Sequence, residues 1–133
     1  MITVVNMKDY HCPFEVLIDI VSGKWKMLIL WQLNVYGHKR FSDLKKLADG
    51  VSTKVITSQL RDLENRKMIK RVVYPEVPPR VEYYITDLGK SLLPLLVCMQ
   101  EWSIDYLQKS GVEIEKYILD EFETLKNNNT HKK

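Results

Sequence analysis

Two short segments, Ile69-Lys-Arg-Val-Val-Tyr74 and Val81-Glu-Tyr-Tyr-Ile85, are rich in β-branched and aromatic residues, and Pro75-Glu-Val-Pro-Pro79, followed by Arg80, separates them. Residues of this kind favour extended, half-buried strands. Proline has no N–H to give to a ladder and stiffens the chain, so the connection reads as a projecting hairpin loop. The sequence on both sides of this hairpin is helical in pattern, which confines the fold to a mostly α architecture carrying one small β element.

Upstream, Pro13 can open a helix in which Phe14, Leu17, Ile18 and Val21 form one apolar stripe at i, i+3, i+4 and i+7. Ser22-Gly23 interrupts it. The run from Trp25 through Leu33 is then apolar on nearly every side, which suits the centre of a core or a partner chain. Phe41, Leu44, Leu47 and Ala48 repeat at helical spacing up to Asp49-Gly50, and Ser52 can cap a following helix with inward positions Ile56, Leu60 and Leu63. Two short helices about a tight glycine turn make a helix-turn-helix, although purely structural helix pairs share that spacing. With the hairpin directly after it, the order is that of a winged helix.

Downstream, Thr86 can cap a long helix to about Leu107, in which Pro94 should produce a kink or a restart, and Ile114, Tyr117, Ile118, Phe122 and Leu125 mark a last helix. These stripes and the first helix exceed the needs of one small core. They read as extra N- and C-terminal dimerisation helices, with monomeric packing as the alternative.

A chain of 133 residues fits one domain, expected over 1–126 with a disordered polar tail at 127–133. The longest apolar run, Leu92–Met99, is too short to span a membrane and contains Pro94. No secretory signal is expected at the N-terminus. Two cysteines, Cys12 and Cys98, are too few for a disulfide scaffold and point to a reducing cytoplasm. Charge is distributed unevenly: residues 1–38 are neutral, 39–80 carry +6 and 81–133 carry −3. A basic middle block marks a face for a polyanion.

On the second helix of the motif the outward positions are Ser52, Thr53, Lys54, Thr57, Ser58 and Arg61. Hydroxyls beside free N–H groups suit phosphate and base-edge contacts, and Lys54 and Arg61 add charge able to read guanine. Arg80, at the far end of the wing loop, can enter a minor groove or grip phosphate. Lys39 and Arg40 precede the first helix of the motif and either contact phosphate or stay solvated. Trp25, Trp31 and Trp102 are assigned to core or dimer interface. Cys12, just before Pro13, falls at or near a helix N-cap, where a thiolate is favoured; Cys98, inside a long helix, reads as small apolar packing. The five glycines are isolated, and neither HExxH nor a spaced Cys/His cluster occurs, so no enzyme motif, cofactor site or metal site is expected. A winged helix used only for protein–protein contact is the alternative to DNA binding.

Cys12-Pro13, Gly23-Lys24-Trp25, Leu28-Ile29-Leu30-Trp31, Lys39-Arg40-Phe41, Leu60-Arg61-Asp62-Leu63-Glu64 and Tyr74-Pro-Glu-Val-Pro-Pro-Arg-Val-Glu-Tyr83, followed by Thr86 and Gly89, resemble the HxlR-type winged-helix transcriptional regulators, distant kin of MarR-type regulators. The resemblance runs from Cys12 to about Trp102. It implies a bacterial or archaeal homodimer on a roughly palindromic double-stranded operator, without enzymatic activity. It also implies a candidate role for Cys12, because some members sense oxidants or electrophiles through a cysteine so placed.

Overall fold

The computed structural model describes residues Met7–Thr130, which separate into two compact units, one ending at Lys90 and one beginning at Ser91. The first holds α1 (Glu15–Val21), α2 (Lys24–Tyr36), β1 (Lys39–Arg40), α3 (Phe41–Leu47), α4 (Thr53–Asn65), β2 (Ile69–Tyr74), β3 (Arg80–Ile85) and the single turn α5 (Asp87–Lys90). The strands form an antiparallel sheet in the order β1-β3-β2, with Tyr74 opposite Arg80 at the wing end and Ile69 opposite Ile85 at the base. The fold is thus a mostly helical winged helix-turn-helix, as the spacing predicts. The two-residue strand β1 is an addition to the two strands legible in the sequence: Lys39 pairs with Tyr83 and Arg40 with Glu82, so these cations extend the sheet.

The core of this unit forms where three helical stripes meet. Ile29, Leu30 and Leu33 of α2, Leu44 of α3, and Ile56, Leu60 and Leu63 of α4 are all fully buried, and truncating such a side chain to Ala typically costs about 2–5 kcal/mol. Lys26 occupies the same inward row of α2, one turn before Ile29 and Leu30, and is only 6% exposed. A buried ammonium requires partners. Its Nζ donates to the Asp19 carbonyl of α1 and to Asp62 Oδ2 of α4, each at 2.8 Å. Asp62 is also held by Arg66 Nε at 3.0 Å, so one carboxylate ties α2, α4 and, through Lys26, α1 together.

The exit from α4 is shaped by backbone chemistry. Lys67 adopts φ 65°, the Met68 N–H reaches the Leu63 carbonyl, and the Lys67 N–H reaches that of Glu64, which is a Schellman close with lysine where glycine is usual. Thr86 follows β3 at this same base of the hairpin. Its Oγ1 is 2.7 Å and 2.9 Å from the Lys67 and Met68 carbonyls and accepts the Gly89 N–H at 3.0 Å, so it does cap a helix, but that helix is the single turn α5 and not one running to Leu107. Gly89 is required there because a Cβ would lie 2.3 Å from the Met68 carbonyl oxygen.

The second unit contains α6 (Leu93–Lys109) and α7 (Lys116–Thr130). Of the two expected effects of Pro94, restart is the one observed: α5 stops at Lys90 and Pro94 lies in the first turn of α6, where an N–H is not needed. Gly111, at φ 82°, closes α6, with the Val112 N–H bonded to the Leu107 carbonyl. Lys126 of α7 pairs with Glu101 of α6 at 3.1 Å. Residues 127–130, expected within a disordered tail, continue α7, while 131–133 lie outside the described residues. The stripe expected along α6 is only partly inward. Leu96 and Val97 are buried, whereas Leu95, Trp102 and Tyr106 are exposed in the single chain.

Burial alone raises the Asp62 carboxyl, but the hydrogen bond and charge of Lys26, joined by Arg66, outweigh it and hold the group below the usual carboxylate range. A depressed folded value means stability that is complete above the ordinary value of about 4 and is lost as pH falls through the folded one. Asp62→Asn, which strands Lys26 in the core, should therefore cost about 1–3 kcal/mol in urea unfolding at neutral pH and should flatten part of the stability loss below about pH 4. Lys26→Met should cost less, since Asp62 keeps Arg66 and some access to water.

Candidate nucleic-acid interface

The outer face of α4 is set by its inward stripe. With Ile56, Leu60 and Leu63 committed to the core, Lys54, Ser58 and Arg61 are exposed and Thr57 is half-buried. Ser52 caps the helix, its Oγ accepting the Val55 N–H at 3.2 Å. Ser52 and Thr53 are both exposed at this N-terminus. The turn between α3 and α4 is held by Gly50 at φ 85° and by Lys45, whose Nζ donates to the Val51 carbonyl.

A groove of about 700 Å³ runs between α4 and the wing. Arg40, Thr57, Arg61 and Arg80, four of the residues singled out in the sequence, line it, together with Phe41, Ser42, Arg71, Tyr83 and the loop residues Glu76–Pro79. Lys54, Thr57, Ser58 and Arg61 line a second, shallower depression on the outer face of α4 with Asp62 and Asn65. Lys39 lines neither and borders instead a depression with Asp43 and Lys46 on α3.

Arg71 was not anticipated. It lies two residues beyond the buried Ile69 on β2, so strand alternation turns both toward α4, and that alternation is the signal that could have found it. Its guanidinium acts on the Tyr83 hydroxyl opposite, which burial nevertheless pushes above the ordinary tyrosine value. Glu64 and Glu76 are the acidic members of the groove.

Arg80 is less free than its place in the sequence suggests. Rather than projecting from the loop tip, its guanidinium stacks 4.2 Å over the Tyr74 ring and pairs with Glu76 at 3.3 Å and Glu82 at 3.6 Å. The cause is register: Tyr74 faces Arg80 directly, and Glu82 follows on the same side of β3. Glu82 in turn accepts the Tyr84 hydroxyl at 2.8 Å, which lies 2.9 Å from that of Tyr74, and His38 stacks on Tyr84 with ring centroids 4.7 Å apart. The Tyr84 hydrogen bond first, and then the nearby Arg80 and Arg40 guanidinium groups, hold the Glu82 carboxyl below its usual range against the opposing effect of burial. The same contacts to Tyr74 and Glu82 push the Tyr84 hydroxyl upward.

Cys12 is half-buried and lies ahead of the helix rather than at its cap. Phe14 is the N-cap of α1, and the Glu15 and Val16 N–H groups reach back to Cys12 and Pro13 in three-residue turns. Tight i to i+3 turns thus occupy the expected first turn, and the regular α-helix begins at Glu15, later than expected. The Cys12 N–H donates to Glu15 Oε2 at 2.5 Å. Cys98, expected to pack, is exposed on α6 and lines a depression with Trp102 and Phe122. Trp25 and Trp31 are half-buried, and Trp102 is exposed.

Residues 20–111 match the family model described as HxlR-like helix-turn-helix. The chain belongs to the HxlR-like helix-turn-helix family. It is 42% identical to the HTH-type transcriptional regulator YdeP of Bacillus subtilis over 95 residues, which is 71% of this chain and 73% of that one. Among solved structures, the redox regulator HypR in its oxidized form is similar at a TM-score of 0.65 and 36% identity, over 71% of this chain and 96% of HypR. Diamide-treated YodB from B. subtilis is similar at a TM-score of 0.59 and 29% identity, over 71% and 94% of the two chains. The chain is accordingly a transcriptional regulator of helix-turn-helix type and not an enzyme. No helix among the described residues is long and apolar enough to cross a membrane.

The Ser52 cap gives a direct check on this geometry. Ser52→Ala should destabilise the fold by about 1 kcal/mol in thermal or urea unfolding, and Ser52→Asp, which restores an acceptor, should recover most of it.

Proposed function

We propose that this HxlR-like regulator binds double-stranded operator DNA as a homodimer, with α4 in the major groove and the wing against the adjacent backbone or minor groove. One observation carries the reading: the groove between α4 and the wing brings Arg40, Arg61, Arg71 and Arg80 onto one surface, within the segment whose net charge is +6. Phosphate contacts from such cations set orientation on a duplex, and the exposed Lys54, Ser58 and Arg61 supply donors and acceptors for base edges. Ser52 and Thr53 offer the helix N-terminus to phosphate. Lys39, away from the groove, is assigned a peripheral phosphate contact.

Exposed apolar side chains support two-fold pairing. Phe14 at the N-cap of α1 and Ile18 within it are 61% and 49% exposed, and Trp102, Tyr106 and Tyr117 are 67%, 57% and 64% exposed on α6 and α7. Patches of this kind are covered by assembly, and a two-fold dimer matches a roughly palindromic operator.

Cys12 is proposed as the residue through which oxidants or electrophiles change DNA affinity. Support comes from its half-buried position just ahead of the first helix and from the similarity to HypR, a redox regulator, and to YodB, whose structure includes a diamide-treated form.

In a salt-titrated gel shift with the protein's own upstream DNA, two protomers should occupy each site. The logarithm of the binding constant should fall linearly with the logarithm of salt, by about 0.9 per phosphate neutralised. Binding indifferent to salt, or unchanged when Lys54, Arg61 and Arg80 are all replaced by Ala, is incompatible with this reading and returns the winged helix to a protein-contact role. Diamide should alter the affinity of the wild type and leave Cys12→Ser unaffected; equal behaviour of the two would make Cys12 a structural residue.

A further inference from the structure

Two carboxylates hold the wing arginine, and they differ in how readily they can let go. Glu82 is embedded, with its side chain 10% exposed. It accepts the Tyr84 hydroxyl at 2.8 Å and lies on β3 opposite Val72 within the ladder. Glu76 belongs to the projecting loop, and its side chain is 52% exposed. Its carboxylate meets Arg80 Nη2 at 3.3 Å. An exposed ion pair of this kind is weak because water screens it and both side chains lose freedom in making it.

Arg80 itself is aimed but incompletely satisfied. Tyr74 supports one face of the guanidinium at 4.2 Å. Its Nε is buried, lies 3.6 Å from Glu82, too far for a hydrogen bond, and has no hydrogen-bond partner. The guanidinium therefore keeps its position through stacking and the Glu82 field, while the Nη2 side is occupied by the one carboxylate that is free to swing into solvent.

We propose that Glu76 is an internal stand-in for a nucleic-acid phosphate: its carboxylate occupies Arg80 in the free protein and gives way to a phosphate oxygen on the duplex, while Tyr74 and Glu82 keep the guanidinium in place. The inference rests on the DNA-binding reading above and deepens it by assigning Glu76 an affinity-setting role. A duplex presents a dense row of phosphates, against which a single exposed carboxylate competes poorly. Exchange has a cost, because the displaced carboxylate then lies beside a polyanion and recruits a cation. Glu76 thereby lowers affinity and reduces the number of counterions released on binding.

The test compares wild type, Glu76→Gln, Arg80→Met and the double variant in salt-titrated binding to the upstream duplex and to a random-sequence duplex of equal length. Methionine keeps an apolar stem over Tyr74 while removing the charge. Glu76→Gln should tighten binding roughly two- to fivefold at low salt and steepen the salt slope by up to about 0.9. In the Arg80→Met background the same change should have no effect. The inference is overturned if Glu76→Gln binds as the wild type does, or if its gain is equal in both backgrounds, since an equal gain reports only the bare field of the carboxylate. If neither duplex binds the wild type or any variant at low salt, the DNA-binding reading itself fails and takes this inference with it.

Discussion

The ammonium of Lys26 lies in the inward row of α2, among Ile29, Leu30 and Leu33, and its two partners come from the helices on either side. Burying a charge costs far more than burying a methylene, so this position is stable only while α1 presents the Asp19 carbonyl and α4 presents the Asp62 carboxylate at hydrogen-bond distance. Hydrophobic contacts tolerate sliding by an ångström; a buried ion pair with a second acceptor does not. The position of α4 relative to α1 and α2 is thereby set more narrowly than the apolar core alone requires. Since Asp62 and Arg61 are neighbours on α4, the contact that anchors the helix from within also sets which residues it turns outward.

The wing obeys a related logic nearer the surface. Its strands are short, and a two-stranded hairpin is marginal in water. Here β1 adds a third strand on one side of β3, and the Tyr74–Tyr84–Glu82–Arg80 cluster ties the hairpin's own cross-strand pairs together. At the base, Thr86 and the missing Cβ of Gly89 let α5 close against the Met68 carbonyl. A rigid base and a proline-rich loop between them present Glu76 and Arg80 at a defined place rather than on a freely moving arm.

Much of this was legible in residue order. The caps at Ser52 and Thr86, the two strands about the prolines, and the stripe Ile56, Leu60, Leu63 follow from local rules whose physics acts over a few residues. The partners of Arg80 were not legible, because Glu76 lies four residues before it and Glu82 two after, and only the path of the loop and the strand register bring both carboxylates and Tyr74 to one side. Arg71 was within reach of strand alternation from the buried Ile69, but only packing shows which face of β2 meets α4, and β1 was hidden because two residues carry no periodicity. The late start of α1 was hidden because the turns that bond Glu15 and Val16 back to Cys12 and Pro13 differ from a regular helix only in which carbonyl each N–H reaches.

By itself, the sequence determined the order of the main helices and the two wing strands, the winged helix-turn-helix class, the outward face of α4 and the basic character of the segment between Lys39 and Arg80, since each depends on local propensity or on summed charge. Tertiary structure alone decided that Lys26 is buried on Asp62, that Lys39 leaves the groove while Arg71 joins it, and that Arg80 enters it already engaged by carboxylates. These outcomes turn on distances between residues from different elements. Electrostatic and hydrogen-bond energies change steeply over a single ångström, a scale that residue order does not encode.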